Sequence, residues 1–232
     1  MMRIDVISAV PDLLTSPLNT SIIKRAQDKK KVKIKIHNLR DYAFNKHKQI
    51  DDKPFGGGAG MVLKPEPFFE CIEKLKSKRK FDQIIFTTPK GKIFDQKYAN
   101  KLSLSKNILI IAGHYKEIDD RVREYFATDE ISIGNFVLTG GELPALIIID
   151  SVIRLIPGVL NDSEAALNDS FQDGEVIEAP YYTRPAEYKD MKVPEVLLSG
   201  NEKEIKKWKQ EQSKILTEKW RNFNKRSTIW LT

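Results

Sequence analysis

Apolar and polar positions along residues 1–160 follow the periods of strands and helices in turn. The segment VKIKIH at 32–37 alternates every second residue, which is typical of a half-buried strand. Comparable runs predict strands at 4–10, 84–86, 108–112 and 130–133, and helices at 21–29, 65–75, 95–102, 118–126 and 142–155. Strands that alternate with helices favour an α/β fold with a mainly parallel sheet covered on both faces.

The pattern changes in two places. Residues 39–60 show no period and contain five closely spaced small residues, Gly56 to Gly60, so they are predicted to form a long loop. Residues 161–185 are polar and aperiodic, which suggests a linker or a functional lid. Beyond them, Asn201 is a candidate N-cap, with Glu204 placed for a capping box.

These changes predict three segments, namely a domain at 1–160, a flexible linker or lid at 161–185, and a small helical domain at 186–232. The last segment holds eleven Lys/Arg against seven Asp/Glu and all three tryptophans. The whole chain of 232 residues has a formal charge of +7, so nucleic acid is a candidate partner.

Composition excludes several classes of protein. Cys71 is the only cysteine, so no intrachain disulfide or thiolate metal cluster is expected, and a cytoplasmic location fits. The most apolar stretch, 143–160, is interrupted by Asp150, Arg154 and Pro157, so no membrane span is expected. Three histidines without zinc-ligand spacing make a zinc site unexpected, and the serines lack the hydrolase motif.

Glycines follow three of the predicted strands, at Gly91, at Gly113 and at Gly134 with Gly140–Gly141. Ligands of α/β proteins bind beyond the carboxyl ends of parallel strands, where glycine lets the backbone approach them closely. Ordinary turns remain the alternative explanation. Neither a dinucleotide fingerprint nor a triphosphate-binding loop is present.

Two charged positions are further candidates. Asp150 and Arg154 are four residues apart on one helix, so they could simply form a structural ion pair. Asp169 precedes Ser170 in the polar segment, where a capping role is the simpler interpretation.

Taken together, the chain resembles the bacterial tRNA (guanine-N1)-methyltransferase family. The matching words are ISAVPDLL near the start, DDKPFGGGAGMV at 51–62, TTPKGKIFDQ at 87–96, SIGNFVLTGGELPALIIIDSVIRLIPGVL at 132–160, DSFQDG at 169–174, APYYTRP at 179–185 and VPEVLLSGN at 193–201. The resemblance implies a SPOUT-like α/β domain with a trefoil knot in its C-terminal part, plus a small helical C-terminal domain.

The resemblance also implies a site. Loops of the knot would bind S-adenosylmethionine through Pro89, Gly91, Gly113, Tyr115, Ile133, Gly134, Asn135, Phe136, Val137, Leu138, Gly140, Gly141 and Pro144. Asp169 matches the family's general base for guanine N1, immediately 3′ of the anticodon, and Arg154 matches the residue that steadies charge on O6. The site would be shared within a homodimer, with Mg²⁺ as a candidate helper.

Contacts with tRNA are expected from the basic C-terminal domain. The candidate residues are Arg184, Ser199, Lys206, Lys207, Lys209 and Arg221. Phosphate contacts of this kind make affinity fall as salt rises.

One departure from the family lies at Lys116–Glu117, where the family commonly has an acidic residue followed by glycine. Two other hypotheses stay open. The chain could be a related knotted methyltransferase that acts on another RNA position or on a ribose, and a ribose enzyme would not need Asp169. It could also be an RNA-binding module without cofactor binding, for which Lys116–Glu117 is the only indication.

Overall fold

A computed structural model describes residues 1–160 and 169–228, with side chains described as far as residue 225. The chain divides into two compact units, Met1–Ser163 and Glu164–Thr232. No helix within the described ranges is long and apolar enough to cross a membrane.

The first unit is built on a five-stranded sheet of order β2-β1-β6-β5-β8, in which every neighbouring pair is parallel. Its strands are β1 (Met2–Ser8), β2 (Val32–Asn38), β5 (Gln83–Ile93), β6 (Asn107–Ala112) and β8 (Asp129–Ser132). The predicted α/β class with a mainly parallel sheet is therefore confirmed.

Helices cover both faces of this sheet. They are α1 (Asp12–Leu18), α2 (Ser21–Asp28), α3 (Pro65–Lys76), α4 (Gln96–Ser103), α5 (Asp120–Phe126) and α6 (Glu142–Ile153). Successive residues of β6 enter opposite cores, because Ile108 and Ile110 pack with α1, α4 and α6, whereas Leu109 and Ile111 pack with α3 and α5. A strand buried on both faces explains why its sequence is continuously apolar.

The predicted loop at 39–60 is wrong in part. A 3₁₀ helix (Leu39–Tyr42) opens it, and the short strands β3 (Asp51–Asp52) and β4 (Val62–Leu63) pair antiparallel and continue onto β7 (Glu117–Ile118). Fully buried Ile50 and Leu63 anchor this hairpin in the core. Strands of two residues are too short to show a period, so the sequence pattern could not reveal them.

The second unit contains a small hairpin and two helices. These elements are β9 (Glu187–Tyr188), β10 (Met191–Lys192), α7 (Glu195–Leu198) and α8 (Glu202–Thr228). The predicted N-cap is confirmed, since Asn201 Oδ1 accepts the Glu204 N–H at 3.3 Å. The segment following Asp169 packs on α8, where the ring of Phe171 meets Trp220 at 5.3 Å and Thr217 Oγ1 accepts the Ile177 N–H. Residues 161–168 of the predicted linker lie outside the described residues.

A buried carboxylate on β1 contacts β2 and the segment that follows α3. Asp5 on β1 is fully buried and contacts Arg3 at 2.7 Å, His37 at 2.7 Å and Arg79 at 3.1 Å. Burial raises the pKa of Asp5, but the hydrogen bonds from His37 and Arg3 outweigh it, so the pKa falls from 3.8 to about 2.

The Asp5→Asn variant tests this network. Because it leaves the half-buried guanidinium groups of Arg3 and Arg79 without their carboxylate, we expect the free energy of unfolding at pH 7 to fall by about 2–3 kcal/mol, measured by urea titration. The exposed Lys24–Asp28 pair is the control, and Asp28→Asn should change stability by less than about 0.5 kcal/mol.

The same carboxylate predicts a pH dependence. Because the pKa of Asp5 is lower in the folded than in the unfolded chain, its carboxylate stabilises the fold at any pH above the unfolded pKa of 3.8. This contribution disappears as the pH falls from about 4 toward 2. The wild type should therefore lose about 2 kcal/mol in that range that Asp5→Asn does not lose. Parallel loss in both proteins would contradict this account.

Candidate functional site

A cleft of about 110 Å³ lies at the ends of β6 and β8 and beside Thr87–Pro89, where the pairing of β5 with β8 shifts register. β5 lies between β6 and β8 and is parallel to both, so the loops after β6 and β8 meet this irregular part of β5. Its wall combines backbone and polar groups with the apolar side chains of Phe136, Val137 and Leu138. These three side chains are 54%, 83% and 39% exposed and form its outer rim.

Ten of the thirteen predicted cofactor residues line this cleft. They are Pro89, Gly113, Tyr115, Ile133, Phe136, Val137, Leu138, Gly140, Gly141 and Pro144. Sequence reasoning missed a further set of lining residues, namely Thr87, Thr88, His114, Lys116, Glu117, Ile131, Ser132 and Thr139. Most of these lie next to a predicted residue, so the signal was present but too coarse to select them.

Gly91, Gly134 and Asn135 are not among the lining residues. The prediction that Gly91 follows a strand is wrong, because Gly91 lies inside β5 and against β8, where a Cβ would come within 2.5 Å of the backbone carbon of Glu130. A Cβ on Gly134 would come within 2.4 Å of the Phe136 ring, so this glycine makes room for a residue of the rim.

The closest backbone approach is at Gly140–Gly141. A Cβ on Gly141 would lie 2.1 Å from Thr87 Oγ1 and 2.9 Å from the Gly113 nitrogen, and one on Gly140 would lie 2.4 Å from His114 Nδ1. The Gly141 N–H also donates to the Gly113 carbonyl at 2.6 Å. Only glycine fits here, because the backbone of these loops lies against the side chains of Thr87, His114 and Glu142 and against the backbone of Gly113.

Beneath these glycines lies the carboxylate of Glu142, which is 1% exposed. It accepts the Ser8 hydroxyl at 2.7 Å, and its second oxygen lies 3.3 Å from His114 Nδ1. The network thus joins β1, the loop after β6 and the first turn of α6. Sequence reasoning missed it, because 134 residues separate Ser8 from Glu142 and no local pattern connects them.

The wall at Lys116–Glu117 carries both signs of charge. Glu117 Oε2 lies 3.1 Å from Lys90 Nζ, and its backbone pairs with Val62 across β4 and β7. The Lys116 N–H donates to the Met61 carbonyl at 3.1 Å. The positions that depart from the family are therefore attached to the hairpin of β3 and β4.

The two predicted catalytic residues lie outside the cleft lining. Arg154 is the half-buried C-cap of α6, whereas the cleft contacts the first turn of that helix. At a rise of about 1.5 Å per residue, ten residues separate Arg154 from Pro144 by about 15 Å. Asp169 is half-buried in the second unit, where its carbonyl accepts the Gln172 N–H at 3.3 Å.

The predicted RNA-binding residues all belong to the second unit. Lys206, Lys207 and Lys209 are exposed on α8, and Arg184 is exposed in the preceding segment. Two candidates already have partners. Arg221 lies 3.2 Å from Glu175, and the Ser199 hydroxyl donates to the Val196 carbonyl at 2.8 Å.

A groove in the second unit collects several lysines. Lys206, Lys209 and Lys214 line it together with Tyr181, whose ring is 74% exposed. Glu178 is its acidic member and accepts the Tyr181 hydroxyl at 2.6 Å. Within the described ranges, no group of three or more His, Cys, Asp or Glu side chains is placed to hold a metal ion.

Comparison with known proteins agrees with the resemblance in the sequence. Residues 2–224 match the family model described as tRNA (Guanine-1)-methyltransferase TrmD. Three similar proteins are each named tRNA (guanine-N(1)-)-methyltransferase. One from Bacteroides fragilis is 57% identical, with 91% of this chain and 94% of the relative covered. One from Chlorobaculum tepidum is 54% identical, with 93% of this chain and 94% of the relative covered. One from Flavobacterium johnsoniae is 56% identical, with 90% of this chain and 92% of the relative covered. The chain therefore belongs to the tRNA (guanine-1)-methyltransferase family.

Proposed function

We propose that this protein transfers a methyl group from S-adenosylmethionine to N1 of the guanosine immediately 3′ of the anticodon in tRNA. The observation that carries the proposal is the family match along residues 2–224, which includes every loop of the cleft. Relatives that share more than half of their residues over nine-tenths of the chain carry the same enzyme name.

Two features of the cleft support binding of S-adenosylmethionine. Loop backbone lines it at Gly113 and Gly140–Gly141, where peptide groups outside the Gly141–Gly113 hydrogen bond can reach an adenine edge, and the apolar rim at 136–138 can cover a flat ring. When bound, the cofactor supplies a methyl group on a positively charged sulfur. Because typical ligand sites measure about 300–1,000 Å³, the exposed rim would have to move outward to admit it. We infer that these loops form the trefoil knot of the family.

Asp169 and Arg154 carry the proton chemistry in this proposal. Guanine N1 bears a proton, so N1 can gain a methyl group only as that proton leaves. The Asp169 carboxylate takes the proton, and the Arg154 guanidinium donates hydrogen bonds to O6, where negative charge grows. A carboxylate is a weak base in water, so closure of the site around tRNA must desolvate it.

We also propose that two copies of the chain form the working enzyme. The α6 sequence ELPALIIIDSVI is apolar nearly all round, yet Leu143 and Ile147 are 49% and 46% exposed. A helix of this composition is usually covered on every side. Since α6 also separates Arg154 from the cleft of its own chain, a second copy packed on α6 would let one subunit's Arg154 serve its partner's cleft.

In the same proposal, the second unit supplies most of the affinity for tRNA. The groove of Lys206, Lys209 and Lys214 combines cationic groups with the exposed Tyr181 ring. Lysines contact phosphates, and aromatic rings stack on unpaired bases. Lys207 and Arg184 extend the exposed basic surface beyond the groove.

The Gly141→Ala variant tests the cofactor site. Its methyl group would overlap Thr87 Oγ1, so the loop must shift, and we expect S-adenosylmethionine affinity to fall at least about 10-fold in isothermal titration without tRNA. Gly158→Ala is a control for backbone strain outside the cleft, since Gly158 has φ of 82° and its methyl group meets only the flexible end of Lys31. It should leave the affinity unchanged. Equal affinity for wild type and Gly141→Ala would place the cofactor elsewhere.

Substitution of Asp169 tests the chemistry. Asp169→Ala and Asp169→Asn should lower single-turnover methyl transfer about 10²- to 10⁴-fold, because neither side chain accepts the proton. Arg154→Ala should also slow transfer, while cofactor and tRNA affinities stay close to wild type. Asp173→Ala, in the same turn, is the matched control. A normal rate with Asp169→Ala would show that another group removes the proton.

A further inference from the structure

The hairpin of β3 and β4 presents an aromatic ring to solvent. Asp51 pairs with Leu63 and Asp52 with Val62, so residues 53–61 form its tip. Phe55 lies in this tip and is fully exposed. Burying a phenylalanine side chain is worth about 1.5–3 kcal/mol, so this ring contributes nothing to the stability of the isolated chain.

The tip is attached to the wall of the cleft. Met61 accepts the Lys116 N–H, and β4 continues in parallel onto β7, the strand that begins at Glu117. Gly58 and Gly60 lie against the Lys116 side chain, since a Cβ on either would come within 3.2 Å of it. Lys116 itself lines the cleft. The exposed ring is therefore carried by a hairpin that borders the cofactor cleft directly.

The glycines fix the shape of this tip. Gly56 and Gly57 both have φ of 79°, in the left-handed region that other residues avoid, although the space around them is open. Glycine is favoured at both positions by the backbone conformation and not by lack of space, so these residues set the conformation of the turn. The turn keeps Phe55 away from the core.

The charge around the tip favours an anionic partner. Between residues 40 and 64 there are five Lys/Arg and three Asp. Two of these aspartates lie close to lysines, since Asp41 is 3.7 Å from Lys48 and Asp52 is 3.8 Å from Lys64. Asp51 is the third acidic residue of the segment. Within the described part of the chain, Lys53 and Lys116 form no ion pair.

We propose that Phe55 is a stacking surface for an unpaired base of the tRNA loop beside the guanine that receives the methyl group, with Lys53 and Lys116 contacting the flanking phosphates. The inference rests on the proposed function and adds a contact from the first unit to it. Single-stranded RNA is recognised by aromatic stacking next to basic side chains, and that combination is present here. Lysine in place of the family's acidic residue at 116 adds positive charge at this edge.

The test measures affinity of the full-length protein for unmodified tRNA, by fluorescence anisotropy with saturating S-adenosylmethionine. Phe55→Ala should weaken binding about 5- to 150-fold, and Phe55→Trp should restore it. Leu104→Ala removes another exposed apolar side chain, 85% exposed next to the amino end of β6, and should leave binding unchanged. Cofactor affinity should be the same in all four proteins.

Two results would overturn the proposal. One is unchanged tRNA affinity in Phe55→Ala. The other is a change of oligomeric state in Phe55→Ala, measured by sedimentation, which would assign the ring to contact with a second copy of the chain.

Failure of the stacking proposal can be distinguished from failure of the proposed function. If the wild type methylates tRNA and Phe55→Ala binds tRNA as tightly as the wild type does, only the stacking surface is refuted. If Phe55→Ala weakens tRNA binding but the wild type transfers no methyl group, only the enzymatic proposal is refuted.

Discussion

The absence of side chains at Gly140 and Gly141 is the constraint on which the cleft depends. The backbone here lies so close to Thr87 and Gly113 that a single added carbon would overlap both. This contact brings the start of α6 against Thr87 of β5 and the end of β6, and it leaves the backbone of these glycines beside the cleft. In the proposed function, fixed amides and carbonyls of this kind, which do not change rotamer, give selectivity for the cofactor.

Two buried carboxylates hold the scaffold behind that surface. Glu142 joins β1 and the loop after β6 from below the glycines, and Asp5 joins β1 and β2 to the segment after α3. Each would be costly alone in the core, but each is compensated by hydrogen-bonded partners. The loops that line the cleft are thus supported by polar networks that include residues of β1.

Period and glycine position predicted much of this arrangement. The continuously apolar β6 indicated a strand with both faces buried. Glycines placed after strands indicated loops that converge, which holds for Gly113 and Gly140–Gly141, whereas Gly91 lies inside β5. The rest depended on contacts between distant residues. The Ser8–Glu142 hydrogen bond joins residues that are far apart in the sequence. The strands beside Lys116 are two residues long, and α1 contains Pro17, so neither has a clear local pattern. The family resemblance supplied Asp169 and Arg154, which residue chemistry alone left as a cap and an ion pair.

The central claim is that the protein methylates guanine N1 beside the anticodon. The most direct test is to incubate it with methyl-labelled S-adenosylmethionine and unmodified tRNA, digest the RNA, and locate the label by mass spectrometry. The account predicts 1-methylguanosine immediately 3′ of the anticodon as the labelled product. Label on a ribose, on another base or at another position, or no incorporation at all, would contradict it.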